Sequence, residues 1–133
     1  MHLSTKGRYS LEAMLYLASV GVGRNGKEIS QAVGIPSGYL AQLMMPLRRD
    51  GLVTAHRGAS GCYALGRSGI TCGEILRSAG EERMLPCHGC GKKEGCATER
   101  LWDDLASCVD QVLSLSIEEL ASSLLSMQKG AGL

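Results

Sequence analysis

Residues 27–43, which read KEISQAVGIPSGYLAQL, contain two short helical patterns separated by a tight corner. Gly34 provides the corner, because glycine adopts the left-handed backbone conformation without steric cost, and Ile35 fills the angle between the helices. A leucine stripe then recurs at i, i+3 and i+7, at Leu40, Leu43 and Leu47. This stripe packs one side of the second helix against a core. The stretch therefore predicts a helix-turn-helix whose second helix begins near Pro36 or Ser37.

The opposite face of the second helix carries small and polar side chains. It consists of Ser37, Gly38, Ala41, Gln42, Met45 and Arg49. In helix-turn-helix proteins the N-terminal residues of this helix read base edges, and the amide of Gln42 is a paired donor and acceptor that suits adenine. The alternative interpretation is a helix face that is only solvated.

Pro46 lies inside the same helix. Proline lacks the backbone N–H that would bond the carbonyl of Gln42, and an interior proline costs about 3 kcal/mol. We therefore expect the helix to kink or to end early, near Met44.

The chain after the polar helix stop at Asp50-Gly51 has the alternation of a β-hairpin. Residues 52–56 and 62–65 predict two antiparallel strands joined by a turn at 57–61. A hairpin directly behind a helix-turn-helix indicates a winged helix, so the fold class is mainly α with a small β wing (α+β). His56 and Arg57 lie at the tip of the wing, where an arginine can enter the minor groove.

Further amphipathic segments flank this unit. Ser4 or Thr5 can cap a first helix that runs to about Val20 and is apolar on two faces, so we expect it to be buried on two sides. From Thr98 a long helix carries an apolar stripe, which needs a partner and predicts a dimerisation helix. The stripe residues are Leu101, Leu105, Cys108, Val109 and Val112.

The last segment begins with a capping signal. Ser116 is followed three residues later by Glu119, the spacing of a capping box. We expect a short final helix that contains Ile117, Leu120, Leu124 and Leu125.

Charge is distributed unevenly along the chain. Residues 1–70 contain eight basic and three acidic side chains, a net charge of +5, whereas residues 71–133 contain six basic and ten acidic ones, a net charge of −4. A basic front half points to nucleic acid. The longest apolar-rich run, residues 11–22, is interrupted and falls short of the ~18 to 20 apolar residues that cross a bilayer. We expect a cytoplasmic protein with no membrane partner and no signal peptide.

Three cysteines fall within ten residues, at Cys87, Cys90 and Cys96, among glycines and charged residues. A segment with nothing apolar to bury keeps its thiols accessible, so the spacing predicts a soft metal or a cluster. A structural zinc on the same thiols is an alternative. A disulfide-exchange enzyme would need a βαβ pattern around its cysteines, and this sequence has none there. Nucleotide binding is not indicated either, because no glycine cluster has the spacing of a phosphate loop. We therefore predict that the protein is not an enzyme.

Taken together, these motifs resemble the Rrf2 family of bacterial transcription regulators, which includes the iron-sulfur regulator IscR and the nitric-oxide sensor NsrR. The resemblance covers about residues 1–125. The segments that carry it are residues 1–9, residues 34–43, the wing Arg57-Gly58-x-x-Gly61-x-Tyr63, and the cysteine loop followed by Leu101-Trp102. It implies a homodimer that binds a double-stranded DNA operator and senses redox state, iron or nitric oxide through a two-iron or four-iron cluster. A thiol or small-ligand sensor is the alternative.

The resemblance also implies a ligand set. The thiolate ligands would be Cys87, Cys90 and Cys96, of which the first pair is spaced more closely than is common in the family. IscR-like members place a histidine where this chain has Glu99, and other members take a ligand from the partner's first helix, where this chain has Arg8. Arginine stays protonated and cannot ligate. Glu99 is thus the expected fourth ligand, with His88 or an exogenous small ligand as alternatives; Glu99 could also only stabilise a helix N-terminus.

The motifs divide the chain into three segments. Residues 1–80 would form the winged helix-turn-helix, residues 81–97 the cluster-binding loop, and residues 98–128 the dimerisation helix with the final helix. The expected DNA contacts are Lys6, Arg8, Tyr9, Ser37, Gly38, Tyr39, Gln42, Arg48, His56 and Arg57. Base readout is expected from Gly38, Gln42 and Arg57. Phosphate contacts are expected from Lys6, Arg8, Tyr9, Arg48 and the Ser37 region.

Overall fold

The computed structural model describes residues 3–56, 61–81 and 97–131, with side chains as far as residue 126. These residues form six helices and three short strands, which confirms the mainly α fold with a small β wing. In chain order the elements are α1 (Thr5–Val20), β1 (Arg24–Asn25), α2 (Gly26–Val33), α3 (Ser37–Arg49), β2 (Val53–His56), β3 (Cys62–Leu65), α4 (Cys72–Ser78), α5 (Glu99–Leu113) and α6 (Ile117–Ala131). None of the described helices has the length and hydrophobicity needed to cross a membrane.

Local capping signals define the helix ends. The Ser4 hydroxyl accepts a hydrogen bond from the Gly7 N–H at 3.0 Å, and Gly21, at a φ of 73°, ends α1 in the left-handed conformation. Capping boxes open α2, α4 and α6, and their residue pairs are Asn25–Glu28, Thr71–Glu74 and Ser116–Glu119. The first helix and the last capping box are therefore confirmed. The last helix, with 15 residues, is longer than the short one predicted.

The core lies where α1, α2, α3, α4 and α6 pack together. Its largest fully buried side chains include Met14, Leu17, Ile29, Leu40, Leu43, Met44, Leu47, Ile70, Ile75 and Ile117. The predicted leucine stripe of α3 is thus buried along its whole length. Ile117 and Ala121 bring α6 against α1, so α6 shares the core of the winged helix-turn-helix.

Pro46 does not interrupt α3. The helix continues to Arg49, so the early end predicted near Met44 is wrong. Leu47, directly after the proline, is fully buried, and its packing keeps the last turn helical although one backbone hydrogen bond is missing. Gln42, whose carbonyl has no N–H partner at position 46, lies on the exposed face, where water can replace the donor.

The three strands form an antiparallel sheet in the order β1-β3-β2. β2 and β3 pair with His56 opposite Cys62, which confirms the predicted hairpin. β1 adds Arg24 opposite Tyr63 on the other edge of β3. β1 was not predicted, because a strand of two residues has no alternating pattern in the sequence.

Candidate nucleic-acid interface and cysteine segment

The N-terminal half of α3 presents an open face. Its exposed residues are Ser37, Gly38, Ala41, Gln42 and Met45, the last with 71% of its surface exposed. Apart from the adjoining residues and the backbone of α3 itself, no described atom lies within 4 Å of a Cβ placed on Gly38. An α-helix about 10–12 Å across fits the B-DNA major groove, which is about 12 Å wide. This face therefore has the shape and accessibility of a recognition helix.

Aromatic contacts join the predicted DNA-binding residues of α1 to those of α3. The rings of Tyr9 and Tyr39 meet edge to face, with centroids 6.1 Å apart and an interplanar angle of 86°. The Arg8 guanidinium lies 5.5 Å from the centroid of the Tyr9 ring. Each contact of this kind contributes roughly 0.5–1.5 kcal/mol. The structure thus brings Arg8, Tyr9 and Tyr39 together beside the start of α3.

The two arginines at the end of α3 differ in their surroundings. The Arg49 Nε lies 3.3 Å from Asp50 Oδ1, and the hydrogen bond from Arg49 holds the pKa of the Asp50 carboxyl below its ordinary value. Arg48 is exposed and forms no ion pair with any residue described in the structure. Arg48 is therefore the arginine whose charge remains available to a phosphate.

The base of the wing is described, and its tip is not. His56 is exposed at the end of β2 and lies opposite the half-buried Cys62. Arg57 lies outside the described residues, as do Cys87, Cys90 and Cys96, and the predictions for these four residues stay predictions.

Glu99, the predicted fourth ligand, is the exposed first residue of α5. Across residues 3–56, 61–81 and 97–131, no group of three His, Cys, Asp or Glu side chains converges on a possible metal position. The donor set that the sequence supplies, three thiolates and a carboxylate just after them, has the chemistry that iron-sulfur clusters and zinc both accept. The residues present therefore fit either group.

The three remaining cysteines have different environments. Cys72 is buried at the start of α4, and its burial raises the pKa of the thiol, as expected for a structural role. Cys62 is half-buried, and Cys108 is exposed on the α5 stripe.

α5 is the least buried of the described helices. No residue of this helix is buried within the single chain, and Leu101 and Val112 are 60% and 70% exposed. Leu105 and Val109, which lie between them on the predicted stripe, are partly buried. The described part of the protomer therefore covers the apolar stripe only in part, and exposed apolar side chains that cluster on one face mark interaction surfaces.

Backbone hydrogen bonds attach the α5–α6 junction to the start of α4. The Cys72 N–H donates to the Leu115 carbonyl at 2.9 Å, and the Ile117 N–H donates to the Ile70 carbonyl at 2.8 Å. The C-terminal end of α5 is therefore fixed to the winged helix unit.

One contact near the interface has no counterpart in the sequence analysis. Glu81, the last described residue before the cysteine segment, accepts a hydrogen bond from the Ser4 N–H at 2.9 Å. A glutamate 77 residues from its partner has no local signal in the sequence, so only the structure could reveal this contact.

Comparison with known proteins identifies the family. The model of the Rrf2 family, described as an iron-dependent transcriptional regulator, matches residues 3–123. The chain belongs to the Rrf2 family. It is a DNA-binding transcription regulator and not an enzyme, as the sequence predicts.

Individual members of the family give the same result. The chain is 41% identical over 127 residues to the HTH-type transcriptional regulator CymR of Bacillus subtilis, covering 92% of this chain and 91% of that protein. It is 37% identical over 134 residues to the regulator IscR of Xenorhabdus nematophila, covering 92% and 80%. The structure of CymR (YrzC), the global cysteine regulator of B. subtilis, superposes with a TM-score of 0.81 at 38% identity and covers 92% and 98% of the two chains.

Proposed function

We propose that this Rrf2 regulator is a cytoplasmic homodimer that binds a double-stranded DNA operator and senses redox state, iron or nitric oxide through an iron-sulfur cluster. Its ligands would be Cys87, Cys90, Cys96 and Glu99. The observation that carries the proposal is the placement of an exposed carboxylate on the first residue of α5, three residues after the last of the clustered cysteines. The three segments, residues 1–80, 81–97 and 98–128, would read DNA, hold the cluster and dimerise, respectively.

The proposed DNA interface combines three elements. The open face of α3 supplies Gln42 for base readout, and Arg48 and the first turn of α1 supply charges for the phosphates. The contacts between Arg8, Tyr9 and Tyr39 support this assignment, since they hold α1 and α3 in a fixed relation. Two such units in a dimer would address half-sites about 34 Å apart, one helical turn of DNA.

A bound cluster would supply a centre that reacts with oxidants and nitric oxide. The chain's own contribution is the choice of ligands around it. A carboxylate oxygen is a harder donor than a thiolate or an imidazole, so Glu99 would hold iron more weakly than a fourth cysteine or a histidine. Because Glu99 begins the helix that carries the apolar stripe, a change in the cysteine segment would act directly on the dimer helix.

Metal analysis of the purified protein tests whether it binds an iron-sulfur cluster. Wild type, Cys90→Ala and Cys108→Ala are purified without oxygen, and absorption spectra are recorded together with iron, acid-labile sulfide and zinc analysis. Cys108 is the matched control, because it is an exposed thiol on α5, twelve residues after Cys96 in the sequence. We expect iron, sulfide and a brown chromophore in wild type and Cys108→Ala, and their loss in Cys90→Ala. Stoichiometric zinc without a chromophore would contradict the cluster.

The second candidate is a regulator without a cluster, in which the cysteines hold a structural zinc or act as a thiol or small-ligand sensor. The similarity to CymR, named as a global cysteine regulator, supports this candidate. It predicts a protein free of iron and sulfide whose operator affinity changes on thiol oxidation or on addition of a small thiol ligand. Operator binding in the presence of diamide, of dithiothreitol and of cysteine separates the two candidates.

A further inference from the structure

The side chain of Glu81 caps α1 from a distant part of the chain. Its Oε1 accepts hydrogen bonds from both the backbone N–H and the hydroxyl of Ser4. The Ser4 hydroxyl oxygen in turn accepts from the Gly7 N–H at 3.0 Å. The first turn of α1 has no acidic residue of its own, so Glu81 supplies the negative charge that favours the positive end of a helix.

Gly7 makes the close approach possible. It is buried, and a Cβ at this position would lie 2.8 Å from the Oε1 and 2.9 Å from the Cγ of Glu81. Carbon atoms do not approach so closely, because repulsion between them rises steeply below about 3.5 Å. Any larger residue at position 7 would therefore require the Glu81 side chain to shift.

The turn that Glu81 caps carries the predicted phosphate contacts of α1. Lys6 and Arg8 are exposed on either side of the buried Gly7. The backbone of Glu81 is itself fixed, since its N–H donates to the Leu76 carbonyl of α4 at 2.9 Å. The carboxylate therefore links the end of α4 to the basic first turn of α1.

We propose that Glu81 is a positioning residue for DNA binding, which holds the first turn of α1 so that Lys6 and Arg8 meet the DNA phosphates together with α3. The proposal rests on the proposed function, which assigns these two cations to phosphates. Glu81 acts through them, because an anion at the DNA surface would repel phosphate.

The salt dependence of operator binding tests the proposal. Fluorescence anisotropy gives the operator Kd at several salt concentrations for wild type, Glu81→Ala, Gly7→Ala and Lys6→Ala. Gly7→Ala keeps the carboxylate but requires its side chain to shift, and alanine favours a helix more than glycine does. The matched control is Glu119→Ala, which removes a carboxylate that caps α6 by accepting from the Ser116 N–H at 2.9 Å.

We expect Glu81→Ala to lower the salt slope at least as much as Lys6→Ala, because Glu81 positions both Lys6 and Arg8, and we expect Gly7→Ala to lower it in the same direction. Removing one phosphate contact reduces the slope of log K against log salt by about 0.9, so removing one from each protomer reduces it by about 1.8 and weakens binding roughly 10- to 100-fold at 0.1 M salt. Glu119→Ala should keep the wild-type slope, and thermal melts of each variant show that it is folded.

Two results would overturn the proposal, and they distinguish failure of the role of Glu81 from failure of the proposed DNA interface. If Lys6→Ala lowers the slope while Glu81→Ala and Gly7→Ala keep it, Glu81 is only a stabilising cap and the proposed interface stands. If Lys6→Ala itself keeps the wild-type slope, the assignment of α1 to phosphates fails and the role of Glu81 fails with it.

Discussion

Replacing Leu101 by alanine should weaken the proposed homodimer while leaving the protomer folded. Leu101 lies on the apolar stripe of α5, is 60% exposed in the single chain and contributes nothing to the buried core. Full burial of a leucine side chain is worth about 1.5–3 kcal/mol. Covering the 60% that is exposed is therefore worth about 1–2 kcal/mol per protomer.

A symmetric interface contains the residue twice, so the loss doubles. The expected cost is about 2–4 kcal/mol per dimer, which raises the dimer dissociation constant roughly 30-fold at the lower end and several hundredfold at the upper end. Val112→Ala, on the same stripe and 70% exposed, should have a smaller effect in proportion to its shorter side chain.

Sedimentation velocity over a concentration series measures this constant. Val22→Ala is the control, because Val22 is 57% exposed but lies in the loop after α1, away from the stripe. Wild type and Val22→Ala should stay dimeric at concentrations where Leu101→Ala dissociates. Equal dissociation constants for Leu101→Ala and Val22→Ala would refute the assignment of the stripe to the interface.

Three further predictions concern α3 and α4. Gln42→Ala should weaken binding to operator more than binding to random DNA, and competition binding measures the two losses; equal losses would exclude base readout by Gln42. Arg48→Ala should weaken binding to both DNAs and lower the salt slope by about 0.9 per phosphate contact. Pro46→Ala should raise the free energy of unfolding by up to ~3 kcal/mol in urea titrations, and a decrease would mean that the proline ring is needed for packing. Glu74→Gln tests the pH dependence of stability, because the backbone hydrogen bond at Thr71 lowers the pKa of Glu74 below its ordinary 4.5. The ionised carboxylate therefore stabilises the fold above pH 4.5, and this stabilisation is lost as the pH falls through the lowered pKa. Thermal melts of wild type and Glu74→Gln should therefore differ at pH 7 and converge in acid, and a difference that persists unchanged into acid would exclude this linkage.

Local patterns made the winged helix predictable. The corner at Gly34 and the leucines of α3 specify the helix-turn-helix within a short stretch of sequence, and the box formed by Ser116 and Glu119 specifies the start of α6. Both are relations between residues three or four apart, which the sequence displays directly. The exposed faces of α3 and α5 followed from the same periodicity.

Features that depend on distant residues could not be predicted in this way. β1 is a strand only because Arg24 and Asn25 meet β3, and α3 continues past Pro46 because Leu47 is held in the core. The cap on α1 depends on Glu81, which is distant in the chain. In each case tertiary contacts decide a conformation that local preference leaves open or disfavours.

The backbone hydrogen bonds at the junction between α5 and α6 make that end of α5 a pivot. They fix its C-terminal end, while Glu99 stands at the other end, about 20 Å away for a helix of 15 residues at 1.5 Å per residue. A rotation of about 5° around this fulcrum moves Glu99 by roughly 2 Å over that length. Conversely, moving Glu99 by about 2 Å would rotate α5 by only a few degrees about its fixed end. A displacement at the start of α5 would thus become a small rotation of the apolar stripe relative to the winged helix.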